Sequence, residues 1–104
     1  MITADEARKN MITNISKTYK KEMFDYFTNL IEKEIKEVSS SENPKSNCSF
    51  WFEQDLIKDK EIKEKFKYCI ENELLDEIID SIIEELTKAG FVVQKLFNGI
   101  SIVW

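Results

Sequence analysis

The groups able to do chemistry are few, and most sit in one stretch. Glu71, Glu73, Asp76, Glu77, Asp80, Glu84 and Glu85 follow one another with no lysine or arginine among them. At helical spacing Glu73, Asp76 or Glu77, Asp80 and Glu84 line one face, where like charges three and four residues apart weaken the helix unless something compensates. Such a face has three readings. It is solvated and partly neutralised by Lys17, Lys20, Lys21 or the lysines at 58, 60, 63, 65 and 67; it docks on a basic partner; or it holds a divalent cation. The last needs oxygen atoms converging from several elements, and no loop of that kind is present in the sequence, so no metal ligand is assigned. Cys48 and Cys69 do not form a CxxC pair and read as two separate thiols of a reducing compartment. Trp51, Tyr68 and Trp104 are the aromatic candidates for stacking on a small ligand in a pocket between copies.

What is missing narrows the chemistry further. Without histidine the chain lacks the commonest general base and zinc ligand, and every Ser-His or Cys-His arrangement. Its two glycines, Gly90 and Gly99, are accounted for by a helix end and a turn, which leaves no glycine-rich phosphate cradle. A lone Arg8 beside 14 lysines disfavours bidentate phosphate recognition. The expectation is a chain that is not an enzyme, with no catalytic residue and no cofactor.

The elements that carry these residues follow from the hydrophobic pattern. Thr3 and Glu6 form a capping-box pair that starts a helix near Ala4. Apolar side chains then recur at Ala4, Ala7, Met11, Ile15, Tyr19, Met23, Phe27, Leu30 or Ile31, Ile35 and Val38, in steps of three or four. One helix to about Val38 would be about 50 Å long, more than a compact domain of this size covers, with its radius of gyration near 13 Å. Either it breaks near Thr13-Asn14, among its weakest helix formers, or residues 1–20 project as an arm that packs on a partner or on another copy, self-association then running through Ala7, Met11, Ile15 and Tyr19.

A Ser- and Pro-containing loop at 39–47 follows, then a short aromatic strand, Cys48 to Glu53, with Cys48, Phe50 and Phe52 on one face and Ser49, Trp51 and Glu53 on the other. Helical spacing returns from Asp59 to Ala89 and stops at Gly90. Glu71-Asn72-Glu73 offers a kink or a split with Asn72 as N-cap, and the pattern leaves one helix or two open. Asn98-Gly99 between two β-prone runs specifies a type I′ hairpin. That register pairs Phe97 with Ile100, Lys95 with Ile102 and Val93 with Trp104, and places Phe91, Val93, Lys95, Phe97, Ile100, Ile102 and Trp104 on the core face. A hairpin alone is marginal, so the Cys48–Glu53 strand joins it. The fold class is α+β: long helix, strand, helix or helices, then a hairpin, giving a three-stranded antiparallel sheet with helices on one face.

With 104 residues, 42% of them hydrophobic, the chain supports one core and one domain, 1–104. Its net charge of −5 disfavours direct nucleic-acid binding. The acidity is local: residues 1–38 sum to 0, 39–57 to −2, 58–67 to +2, 68–87 to −7 and 88–104 to +2. No apolar run approaches the ~20 residues of a membrane span, and the polar start, Met1 to Glu6, lacks a signal-peptide pattern, so a cytoplasmic location is expected.

Thr3-Ala4-Asp5-Glu6-Ala7-Arg8, the Cys48-Ser49-Phe50 strand, Lys88-Ala89-Gly90-Phe91-Val92-Val93 and the terminal Gly99-Ile100-Ser101-Ile102-Val103-Trp104 resemble small accessory proteins encoded by phages and prophages of low-GC Gram-positive bacteria. The resemblance covers both ends and carries no catalytic residue to transfer. It implies an accessory protein in the host cytoplasm that binds and inhibits a host protein, of the anti-defence type. A nuclease complex whose basic channel the acidic face 71–85 would occupy fits that role. The alternatives are a small-ligand, nucleotide-type sponge formed by an oligomer, and a structural or regulatory subunit.

Overall fold

The Thr3 hydroxyl accepts the Glu6 N–H at 3.2 Å, one half of a capping box, and from there a single helix, α1, runs Ala4–Ser39. A computed structural model describes residues 1–104. The helix passes through Thr13-Asn14 without a break, and its projecting part is shorter than the expected 1–20, because Ile15, Ser16, Tyr19 and Lys20 are half-buried. Every residue from Met1 to Asn14 is exposed, and the molecule measures 62 × 28 × 20 Å. Its radius of gyration, 16.3 Å, exceeds the compact value of about 13 Å because of this projection.

Strand β1, Asn47–Trp51, leads through a 3-10 turn at Gln54–Leu56 to α2, Lys60–Glu71, whose N-cap Asp59 accepts the N–H groups of Glu61 and Ile62. Helix α3, Leu75–Lys88, and strands β2, Val92–Leu96, and β3, Gly99–Val103, complete the chain. The fold is α+β, with an open antiparallel sheet in the order β1-β3-β2. Helices cover one sheet face. Phe27 of α1 sits at the centre of the single buried cluster, meeting Phe50, Phe52 and Phe66 edge-on at ring separations of 6.1, 5.0 and 5.3 Å. Offset and edge-on rings of this kind add to the apolar burial itself.

Helices α2 and α3 are separate, and the break differs from the expected one. Asn72 caps the end of α2 rather than the start of α3: its side-chain amide donates to Tyr68 O at 2.8 Å. The next residue, Glu73, takes a left-handed conformation (φ 58°), Glu73 N–H reaches Ile70 O, and Leu74 N–H reaches Cys69 O. This is a Schellman closure, a left-handed residue followed by an apolar one that packs back on the helix. Helix α3 ends in the same way, with Gly90 (φ 98°) left-handed and Phe91 N–H donating to Leu86 O.

The hairpin register also departs from expectation. Leu96 pairs with Gly99, Lys95 with Ile100 and Val93 with Ile102, so the turn falls on Phe97-Asn98, and of its two residues only Asn98 has positive φ, 54°. A type I′ turn would need both. Gly99 is required in the strand instead. The Trp51 indole of the neighbouring β1 lies across it, and a Cβ at Gly99 would stand 2.4 Å from Trp51 Cε3 and 2.9 Å from Phe50 O. Val93, Ile100 and Ile102 keep the core side. Phe97 is carried into the turn, 89% exposed, and Trp104 lies at the sheet margin edge-on to Phe91 at 6.3 Å.

Candidate functional site

Four of the five carboxylates of the acidic face are already paired within the chain. Lys20 Nζ of α1 lies 2.8 Å from Glu77 Oε2; Lys95 Nζ of β2 lies 2.9 Å from Asp80 Oδ1 and 3.8 Å from Asp76 Oδ1; Lys88 Nζ lies 3.2 Å from Glu84 Oε1. Glu73 stands in the left-handed turn outside α3 and has no ion pair. Lys20 is among the lysines the spacing offered as neutralisers. Of those offered at 58–67, Lys67 alone reaches the acidic stretch, 4.0 Å from Glu71 Oε1, and Lys65 turns instead to Glu22 at 2.6 Å and Glu61 at 3.5 Å.

Two neutralisers lie outside the lysines that the spacing offered, Lys88 and Lys95; strand parity sends Lys95 toward the core while its long side chain carries the ammonium to the rim beneath α3. Its hydrogen bond to Asp80, reinforced by the charges of Asp80 and Asp76, holds the ammonium charged to a higher pH than an ordinary lysine. Between α1 and α3 the Lys20–Glu77 pair borders an open groove of about 290 Å³ lined by Lys20, Lys21, Phe24, Glu77, Ile78 and Ser81.

The three aromatic candidates do not converge in one chain. Tyr68 is taken up internally, edge-on to Tyr19 at 5.1 Å with its hydroxyl 3.3 Å from Ser16 Oγ. Trp51 is level with Gly99, whereas Trp104 follows the Val103–Asn47 pair, so they occupy opposite ends of the β1–β3 ladder, about 13 Å apart or more at strand rise. Of the self-association residues, Ala7 and Met11 are exposed, Ile15 is half-buried, and Tyr19 is committed to Tyr68 and to the Lys65 ammonium 5.7 Å above its ring.

The two thiols are free. Burial pushes the Cys69 thiol up to about 11 against the opposing pull of Lys20, and burial followed by the nearby Glu34 carboxylate raises that of Cys48.

A surface the sequence reading passed over is the sheet's open face. Across it run Asn47, Val103 and Val92, then Ser49, Ser101 and Gln94, then Trp51, Gly99 and Leu96. In a chain with 34% charged residues, none of these nine positions is charged. Val92 is 70% and Trp51 46% exposed, with Val103 and Trp104 beside them. The depletion of charge was visible in the alternating positions. It carries meaning only once the helices are known to leave this side bare.

The class defined by these elements is an α+β domain with a long leading helix and a one-sided, three-stranded antiparallel sheet. No protein-family model matches the chain, and no curated protein or solved structure shows significant similarity to it. None of its helices is long and apolar enough to cross a membrane.

Proposed function

We propose that the chain is a non-catalytic interaction protein that binds a host protein through the open face of its sheet and inhibits it, the role that the resemblance to phage accessory proteins implies. One observation carries this reading: nine adjoining sheet positions without a charge, with Trp51, Val92 and Val103 held outward on a rigid ladder. The cores of protein interfaces are depleted of charge and enriched in tryptophan in this way. The acidic face of α3 supports a docking role less well, because Lys20, Lys88 and Lys95 already spend most of its field internally. A nucleotide sponge has less support still within one chain, since Trp51, Tyr68 and Trp104 lie apart.

The test is capture from a host lysate by immobilised wild type, by Trp51→Lys/Val103→Lys and by Asp76→Lys/Asp80→Lys, at low and high salt. A protein retained by wild type at both salt concentrations and lost only with the sheet variant supports the reading. Retention that survives the sheet variant but disappears with salt or with the α3 variant overturns it in favour of the acidic face.

A further inference from the structure

Helix α2 packs antiparallel on α1, with Ile62 near Tyr26, Lys65 on Glu22 and Tyr68 on Tyr19 and Ser16, and it ends at Glu71. The α1 stripe it covers does not end there. From Tyr19 it continues at steps of four, four, four and three through Ile15, Met11, Ala7 and Ala4, which fall within about 80° of arc on a helix. Beyond α2 nothing covers it: Ala4, Ala7 and Met11 are exposed and Ile15 is only half-buried.

We infer that the occupant is the arm of a second copy, running antiparallel, so that each arm extends along its partner the position that α2 holds along the body. A two-fold axis at Met11 sets Met11 against Met11 and Ala7 against Ile15, a small residue facing a large one, as an isologous pair requires. Two features favour this occupant and this direction. Residues 10–16 contain no charge, the only such run of α1 that lies outside the core. Antiparallel pairing also brings Asp5 and Glu6 level with the basic stretch that begins at the second copy's Lys17, whereas parallel pairing stacks like on like.

An arm of about four turns offers less than a standard interface, and a weak dimer is expected. Light scattering and sedimentation equilibrium up to several hundred micromolar test it. Wild type is expected to pass from monomer to dimer. Met11→Lys is expected to remain monomeric with unchanged thermal unfolding, and Thr13→Lys, on the opposite side of the helix, to dimerise like wild type. Under mild oxidation Met11→Cys forms a covalent dimer and Thr13→Cys does not. A strict monomer at these concentrations overturns the inference. So does a dimer that ignores Met11→Lys, and so does one abolished by Trp51→Lys/Val103→Lys, which would assign self-association to the sheet. Because the sheet-face reading concerns other residues, it stands or falls separately.

Discussion

The two halves of α1 form one unbroken helix for opposite reasons. Met23, Phe27 and Ile31 are buried and the second half is helical because it packs; Met1 to Asn14 touch almost nothing, and the first half is helical through its Thr3 cap, its backbone ladder and its continuity with the rest. A separate helix of twelve to fifteen residues is marginal in water. The arm is therefore templated by the body, and its stability is local where that of the body is cooperative.

The sharpest separation comes from truncating one apolar side chain in each half. Phe27→Ala is expected to lower the unfolding free energy by about 3–5 kcal/mol, whereas Met11→Ala should stay within about 0.5 kcal/mol. Urea titration followed by Trp fluorescence measures both, and equal effects would abolish the distinction. Within the body, Gly99→Ala should cost about 1–3 kcal/mol, because the Trp51 indole and the Phe50 carbonyl occupy the space of the new methyl group.

Alkaline pH separates the halves without mutation. The folded state holds the Cys69 thiol protonated up to about 11, above its value in the unfolded chain, so its contribution is intact below about pH 8.5 and is lost as pH rises toward 11. The raised lysine values of Lys65 and Lys95 act in the same direction above about pH 10.4. Stability of the body should fall across this range. At pH 8, iodoacetamide should reach half-buried Cys48 before buried Cys69, as read by mass spectrometry.

A smaller effect compares the two Schellman closures. Glu73→Gly should stabilise by up to about 1 kcal/mol and Gly90→Ala destabilise by about the same, since both positions are left-handed. The smallest global effect belongs to Thr3→Ala. Hydrogen exchange in the first turns of the arm should accelerate, as loss of a cap worth about 1 kcal/mol predicts, with no change in the unfolding midpoint.

Legibility in the sequence follows the same division between local and distant causes. The Thr3 cap, the long periodicity of α1, the end at Gly90 and a strand in Cys48–Glu53 are all local and were readable, although β1 itself runs Asn47–Trp51 and leaves out Phe52 and Glu53. The hairpin register was not, because Asn98-Gly99 advertises a turn while the constraint on Gly99 comes from Trp51, nearly fifty residues earlier. Asn72 reads as a helix start when its neighbour Glu73 is taken for an ordinary residue; only the backbone reveals that Glu73 holds a place usually given to glycine. The pairing of Asp76 and Asp80 was hidden for a related reason. Strand parity assigns Lys95 to the core and is silent on where four methylenes can carry its charge.

The unbroken run of α1 has a consequence for avidity. In the proposed antiparallel pair, the two bodies would sit at opposite ends of a rod rather than on a floppy tether, and their uncharged sheet faces would be held at a fixed span. A target displaying two copies of the recognised surface at that span would meet the second face at a high effective concentration. One with any other spacing would gain nothing from the pairing.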